Sequence, residues 1–156
     1  MVGSRTGVVT SLNRSDGGVP KLAVDRVRVT VNGMDGDRQR NLKYHGGPDR
    51  ALCLYSADLI EVLRNEGHSV VAGSIGENVT IAGLDWQLLQ PGVAMTIGPI
   101  QIELTAFAAP CRNIGPSFKW RRSGRVSPRT HPGEARLYAR VRTEGMVTVG
   151  DPVSIL

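Results

Sequence analysis

Short runs of period-2 alternation, cut by Gly, Pro and Asp, constrain this chain more than any other feature. In "DRVRVTV", Val27, Val29 and Val31 alternate with Arg26, Arg28 and Thr30, the pattern of a strand with one buried face. In "MTIGPIQIEL", Ile100, Ile102 and Leu104 face one way, and Gly98-Pro99 turns the chain back onto the run before it. "GVVTSL", "RALCLY", "ENVTIAG", "RLYARV" and "MVTVGDPVSIL" read the same way. About seven such strands broken by turn residues predict a mainly β fold, a barrel or a sandwich, and not a sheet of βαβ units.

Helical signals are few. "SADLIEVLRNEG" offers Ser56 as N-cap, Leu59, Val62 and Leu63 at helical spacing, and Gly67 just past the end. A second short helix is expected around "GPSFKWRR", with Gly115 and Pro116 near its start. No internal repeat or linker divides the chain, so residues 1–156 are expected to form one domain.

No run of 18 apolar residues occurs, and "MVGSRTGVVTSLNRS" lacks the apolar stretch of a secretory signal. The expectation is a cytoplasmic protein with no membrane span. Two cysteines, Cys53 and Cys111, lie far apart in unlike settings, unlike a disulfide framework, and are expected to be reduced thiols. The net charge is +5, with basic residues gathered in "FKWRRSGRVSPR". That suits an anionic partner or simply a solvated loop. Nucleic acid is disfavoured as that partner, because no recognition motif appears and aromatic residues make up 4% of the chain.

The candidate chemistry centres on "FAAPCRNIG". Pro110 fixes the backbone before Cys111, Arg112 supplies a positive field after it, and the polar turn that follows suggests partial exposure. Those conditions suit a reactive thiolate or a soft-metal ligand; a small apolar filler is the other reading. Cys53, inside an apolar run, reads as core. In "NLKYHGGPDRA", Gly46 and Gly47 would let the backbone approach an anion closely, and His45 could donate, accept or shuttle a proton. The same stretch could be only a turn, although Asp37, Arg38, Arg40, Lys43, Asp49 and Arg50 surround it. In "GSIGENVTIAG", Glu77 and Asn78 open a strand; the Asn78 amide could read a heterocycle's edge or cap a turn. Lys21, after glycines and a proline, is a further cationic candidate. There is no C-x-x-C, H-E-x-x-H, helical His pair or G-x-S-x-G, so a structural zinc site and a serine-triad elbow are not expected. A Cys–His pair of Cys111 with His45 or His131 stays open, since such partners meet only in the fold.

In their order, "PKLAVDRVRVTVNGMDGDRQRNLKYHGGPDRALCLYS", "GSIGENVTIAGL", "TIGPIQIELTAFAAPCRNIG" and "HPGEARLYARVRTEGMVTVGDPVSIL" resemble the MOSC domain, the module named after the C-terminal part of molybdenum-cofactor sulfurases. The resemblance covers nearly the whole chain and points to a small stand-alone member. It implies a distorted β-barrel with one or two short helices and a key cysteine at Cys111. That cysteine would be catalytic with His45, and would either ligate the molybdenum of the pterin cofactor or carry sulfur as a persulfide. At family level only, the resemblance also brings in pyridoxal phosphate.

Larger relatives reduce N-hydroxylated substrates with electrons from a flavin and iron–sulfur partner. Two cysteines cannot build an iron–sulfur cluster of the usual four thiolates, so the resemblance implies a separate electron-donor protein or sulfurtransferase and a small-molecule substrate. It would place the molybdenum cofactor, molybdopterin, against Lys21, His45, Gly46, Gly47, Asn78, Pro110 and Arg112, with Cys111 on the metal. One departure stands out: many relatives carry arginine three residues before the cysteine, where this chain has Ala108. The missing cation is expected from "KWRRSGR" if it is supplied at all.

Overall fold

The computed structural model describes residues 2–38 and 47–156. Among the described residues eleven strands are formed: β1 (Thr6–Arg14), β2 (Leu22–Val24), β3 (Arg26–Thr30), β4 (Gly33–Met34), β5 (Leu52–Ser56), β6 (Val79–Ala82), β7 (Ala94–Ile97), β8 (Ile100–Phe107), β9 (Leu137–Thr143), β10 (Gly145–Thr148) and β11 (Pro152–Ile155). A single α-helix is described, α1 (Ala57–Asn65), with 3₁₀ turns elsewhere.

The large sheet runs β11-β7-β8-β9-β5-β6-β1, and β1 pairs β11 to close it into a barrel of seven strands. Closure rests on the length of β1. Its first residues, Thr6–Val8, pair β11, its middle pairs β6 across a register shift between Val9 and Ser11, and Leu12–Arg14 pair β2. Closing the sheet removes its exposed edges. β10, β3 and β4 form a smaller sheet beside the barrel. The barrel is filled by the inward residues of the alternating strands: Ile100, Ile102 and Leu104 of β8 are buried while Gln101 between them is exposed.

The expected β-barrel is therefore present, with four local differences. Val31 does not extend β3; the chain turns there toward β4, leaving Val31 exposed. One βα unit does occur inside the barrel: β5 and β6 are parallel, and a parallel neighbour needs a crossover, which α1 provides. Ser56 caps α1 as expected, its hydroxyl accepting from the Leu59 N–H at 3.1 Å, and Gly67 follows its end at φ +99°. The buried stripe, however, is Ile60 and Leu63, and Val62 faces outward. In place of a second helix, residues 112–126 wind through three 3₁₀ turns. Pro116, without an N–H, and consecutive left-handed residues Trp120 (φ 55°) and Arg121 (φ 56°) prevent a continuous helix there. No helix among the described residues is long and apolar enough to cross a membrane.

Candidate functional site

Cys111 leaves the end of β8 through Ala108, Ala109 and Pro110 and stands, extended (φ −120°, ψ 168°), before the first 3₁₀ turn. It is half-buried and lines a small cavity of about 50 Å³ together with Lys21, Cys53, Asn113, Arg136 and Tyr138. Such a space takes a few water-sized groups. The elements that build its walls come from both ends of the chain, so only the closed barrel assembles it.

One wall is a buried polar cluster. Lys21, 4% exposed, donates from Nζ to Asp37 Oδ1 at 2.6 Å. Its backbone is held against Gly73, whose carbonyl accepts the Lys21 N–H at 2.9 Å. Gly73 is required there: it adopts φ +84°, and a Cβ would fall 2.2 Å from the Lys21 carbonyl oxygen. Asp37 also accepts the Ser15 N–H on Oδ1 at 3.0 Å and the Asn78 Nδ2 on Oδ2 at 2.9 Å. Asn78 is fully buried. Its Oδ1 accepts the Cys53 N–H at 3.0 Å and its Nδ2 reaches the Asn13 carbonyl at 3.2 Å, so its amide is spent on β5, β1 and Asp37. Glu77, also fully buried, takes the Thr80 hydroxyl on Oε2 at 3.2 Å, while Oε1 finds no partner among the described residues. Burial pushes its carboxyl up to about 7, against the pull of the Gly73 and Glu77 N–H groups, the Thr80 hydroxyl and the Arg136 charge.

Arg136, 4% exposed, supplies a second cation to the cavity that both thiols line. Its Nη1 donates to the Ile75 carbonyl at 2.9 Å and its Nη2 to the Ala109 carbonyl at 3.1 Å. No carboxylate pairs with it, and its Nε has no partner among the described residues. The Ala108 N–H in turn donates to the Arg136 carbonyl at 2.9 Å. Arg136 thus ties the loop before Cys111 to the start of β9. The cation beside this loop comes from β9's edge, whereas the sequence pointed to "KWRRSGR".

Cys53 is buried as expected of a core residue, 3% exposed, and burial pushes its thiol up to about 11. It nonetheless lines the same cavity as Cys111, which sequence reading did not foresee. Tyr138, under the Arg50 guanidinium at 4.9 Å, completes the wall, its hydroxyl raised to about 12 by burial.

The predicted residues separate into groups. Cys111 and Lys21 share the cavity, Pro110 precedes the thiol half-buried, and Asn78 stands behind as a brace. Arg112 is exposed and lines an adjoining depression with Asn113, Pro116 and Arg121. Gly47, exposed at φ 82°, opens the 3₁₀ turn Pro48–Arg50 and does not line the cavity. His45 and Gly46 lie outside the described residues. His131 sits with His68 and Trp120 around a separate groove. Arg136 and Tyr138 escaped notice because, at the head of an alternating strand, an arginine reads as solvated; nothing local signals that Arg136 turns inward. Asp37 stood in plain view among charged neighbours, but its Lys21 partner is 16 residues away.

The fold and site together are a closed β-barrel with one half-buried cysteine in a cavity that Lys21 and Arg136 also line. The comparisons specify it: the MOSC domain model matches residues 41–154, and the chain belongs to the MOSC family. Protein YiiM of Escherichia coli (strain K12) is 30% identical over 105 residues, 64% of this chain and 47% of YiiM. YflK of Bacillus subtilis (strain 168) is 27% identical over 135 residues, 86% of this chain and 60% of YflK. The chain thus spans about half the length of the curated relatives it matches. In fold it is similar to the YuaD protein from Bacillus subtilis, with TM-score 0.77 at 18% identity over 96% of this chain and 95% of that one. Crystalline YiiM from Escherichia coli gives TM-score 0.72 at 23% identity, over 98% of this chain and 70% of that one.

Proposed function

We propose that this chain is a molybdenum-cofactor-binding MOSC protein that removes oxygen from N-hydroxylated small molecules, using electrons from a separate donor protein. The observation that carries the reading is the pairing, in one cavity, of the half-buried Cys111 thiol with the Arg136 guanidinium, a buried cation that forms no ion pair among the described residues.

The donor set fits the cofactor. Among the described residues, no three His, Cys, Asp or Glu side chains gather into a metal site, so a metal here would arrive with its own ligands and take one thiolate from the protein. Sulfur is the ligand a soft metal favours. Cys111 would hold the metal; Arg136 and the exposed Arg112 would face the cofactor's anionic parts, while Lys21, paired to Asp37, would line the cavity beside them. When bound, the cofactor supplies the two-electron chemistry that converts an N–OH to N–H and water, with two protons consumed. The chain's own part is to bind and orient. Pro110 and the Arg136 bond to the Ala109 carbonyl fix the Cys111 backbone, and Asn78 with Asp37 holds Lys21 in register.

A second reading is a persulfide carrier on Cys111, and the size of the cavity favours it. A cavity of about 50 Å³, open on one side, accepts one added sulfur atom beside the thiol without rearrangement. A sulfurtransferase would then be the partner.

The test is molybdenum and pterin content of wild-type and Cys111→Ala protein, by elemental analysis and fluorescence, after expression in a host that makes the cofactor. Metal and pterin on the wild type, with metal lost from the variant, is the expected result. Neither on the wild type, together with sulfane sulfur released by cyanide from the wild type alone, would replace the first reading by the second.

A further inference from the structure

From Cys111 to Arg129 the chain carries six basic residues, Arg112, Lys119, Arg121, Arg122, Arg125 and Arg129, and no Asp or Glu. The other 13 basic residues are outnumbered by the 14 acidic ones, so the whole positive excess of the molecule resides in this segment. Among the six, Arg125 is occupied: it bonds Glu66 at 2.8 Å and 2.9 Å and Glu134 at 2.8 Å. The other five are exposed and meet no carboxylate among the described residues.

Between two of these charges, Trp120 is 74% exposed. Lys119 Nζ lies 5.0 Å and the Arg122 guanidinium 5.2 Å from its ring centre. Trp120 and Arg121 both hold positive φ, a conformation that side-chain-bearing residues adopt only at a free-energy cost. An exposed indole on a strained backbone adds nothing evident to folding; such strain collects at sites of recognition. The patch also reaches the thiol. Arg112 and Arg121 line one depression with Asn113, and Asn113 lines the Cys111 cavity as well.

We propose that the Lys119–Arg122 turn, extended by Arg112 and Arg129, is the docking face for a partner protein with a carboxylate-rich surface, seated so that it covers the mouth of the Cys111 cavity. The proposal rests on the reading above that Cys111 is served by another protein, and it adds where that protein lands. Trp and Arg are the residues that most often anchor protein interfaces, and unpaired cations steer an acidic partner into register. Single-stranded nucleic acid fits less well, since it stacks successive bases on several aromatics. Here Trp120 stands without a second exposed aromatic in its turn.

The test is a calorimetric titration of the protein with a purified acidic [2Fe–2S] ferredoxin, at about 20 mM and about 200 mM salt, where screening differs severalfold. Saturable binding at low salt is expected, weakened at high salt and weakened at least about tenfold in Arg121→Glu/Arg122→Glu and in Trp120→Ala. Circular dichroism melts confirm that both variants are folded. Cys111→Ala is expected to bind as the wild type does. No binding at low salt, binding that ignores the charge reversal, or tighter binding of an oligothymidylate than of ferredoxin would each overturn the proposal. The two readings fail separately: ferredoxin binding by protein that never carries molybdenum removes the cofactor reading alone, and molybdenum-loaded protein that ignores ferredoxin removes the docking face alone.

Discussion

The wall of the Cys111 cavity and the outer wall formed by the basic segment that follows it use their polar groups in opposite ways. On the barrel side, Lys21, Asp37, Asn13 and Asn78 satisfy one another: an ion pair at 2.6 Å, amide bonds at 2.9 Å and 3.2 Å, and the Cys53 backbone bound at both N–H and C=O. On the outer side, Arg112, Lys119, Arg121 and Arg122 are exposed and meet no carboxylate among the described residues. The difference separates residues that make the cavity from residues that remain free to meet something in it or beside it. A buried amide whose donors and acceptor are all engaged is architecture; a row of exposed, unpaired cations is available for recognition.

The largest effect that would break this comparison lies in the inner wall. Asn78→Ala removes the acceptor for the Cys53 N–H and the donors to Asp37 and the Asn13 carbonyl, leaving a buried carboxylate and two buried backbone groups short of a partner. A loss of about 3–5 kcal/mol in unfolding free energy is expected, read by denaturant titration. A loss below about 1 kcal/mol would mean that Asn78 is not a brace and that its amide is free for a ligand.

Next in size is the pH dependence contributed by Glu77. Its carboxyl is raised by burial from 4.5 to about 7 in the folded chain, so between those values the folded state holds a proton that the unfolded state has released. Stability from this group is fully present below pH 4.5, falls as pH rises, and is gone above about 7. Glu77→Gln is expected to flatten that limb. Melting temperatures of wild type and variant should converge toward the acid end and separate toward neutrality, with the variant the more stable there. Parallel curves would show that Glu77 ionises in the folded chain as it does in the unfolded one.

Legibility in the sequence followed the same division. The barrel could be read because its signal is local: the alternation of β8, the Gly98-Pro99 turn and the Ser56 cap each lie within a few residues. The partial exposure of Cys111 could be read too, from the polar turn that follows it. What stayed hidden are relations between distant segments. Lys21 finds Asp37, Asn78 finds Asn13 and Cys53, and Arg136 finds the carbonyls of Ile75 and Ala109. None of these partners is visible from spacing, because barrel closure brings them together. Cys53 shows the limit in the other direction: its apolar neighbours correctly announced burial, yet burial in a barrel wall also placed it at the cavity. Arg112 shows it once more, since adjacency to Cys111 in sequence did not bring it into the cavity.

The smallest effect belongs to the outer wall, and it sharpens the comparison because its smallness is the result. Trp120→Gly removes an exposed ring and relieves one left-handed residue, worth about 1 kcal/mol in favour of the variant. Against this stand two exposed cation–π contacts, with Lys119 and Arg122, worth about 0.5–1 kcal/mol each. The terms nearly cancel, so the unfolding free energy should change by less than about 1 kcal/mol. The buried Trp86 provides the measure of scale. It is 5% exposed, donates from Nε1 to the Ala135 carbonyl at 2.7 Å and packs edge-on to Tyr55, and its replacement by Ala should remove about 3–5 kcal/mol. A Trp120→Gly loss approaching that of Trp86→Ala would place the indole among the fold's supports and take away the reason to regard it as a recognition residue.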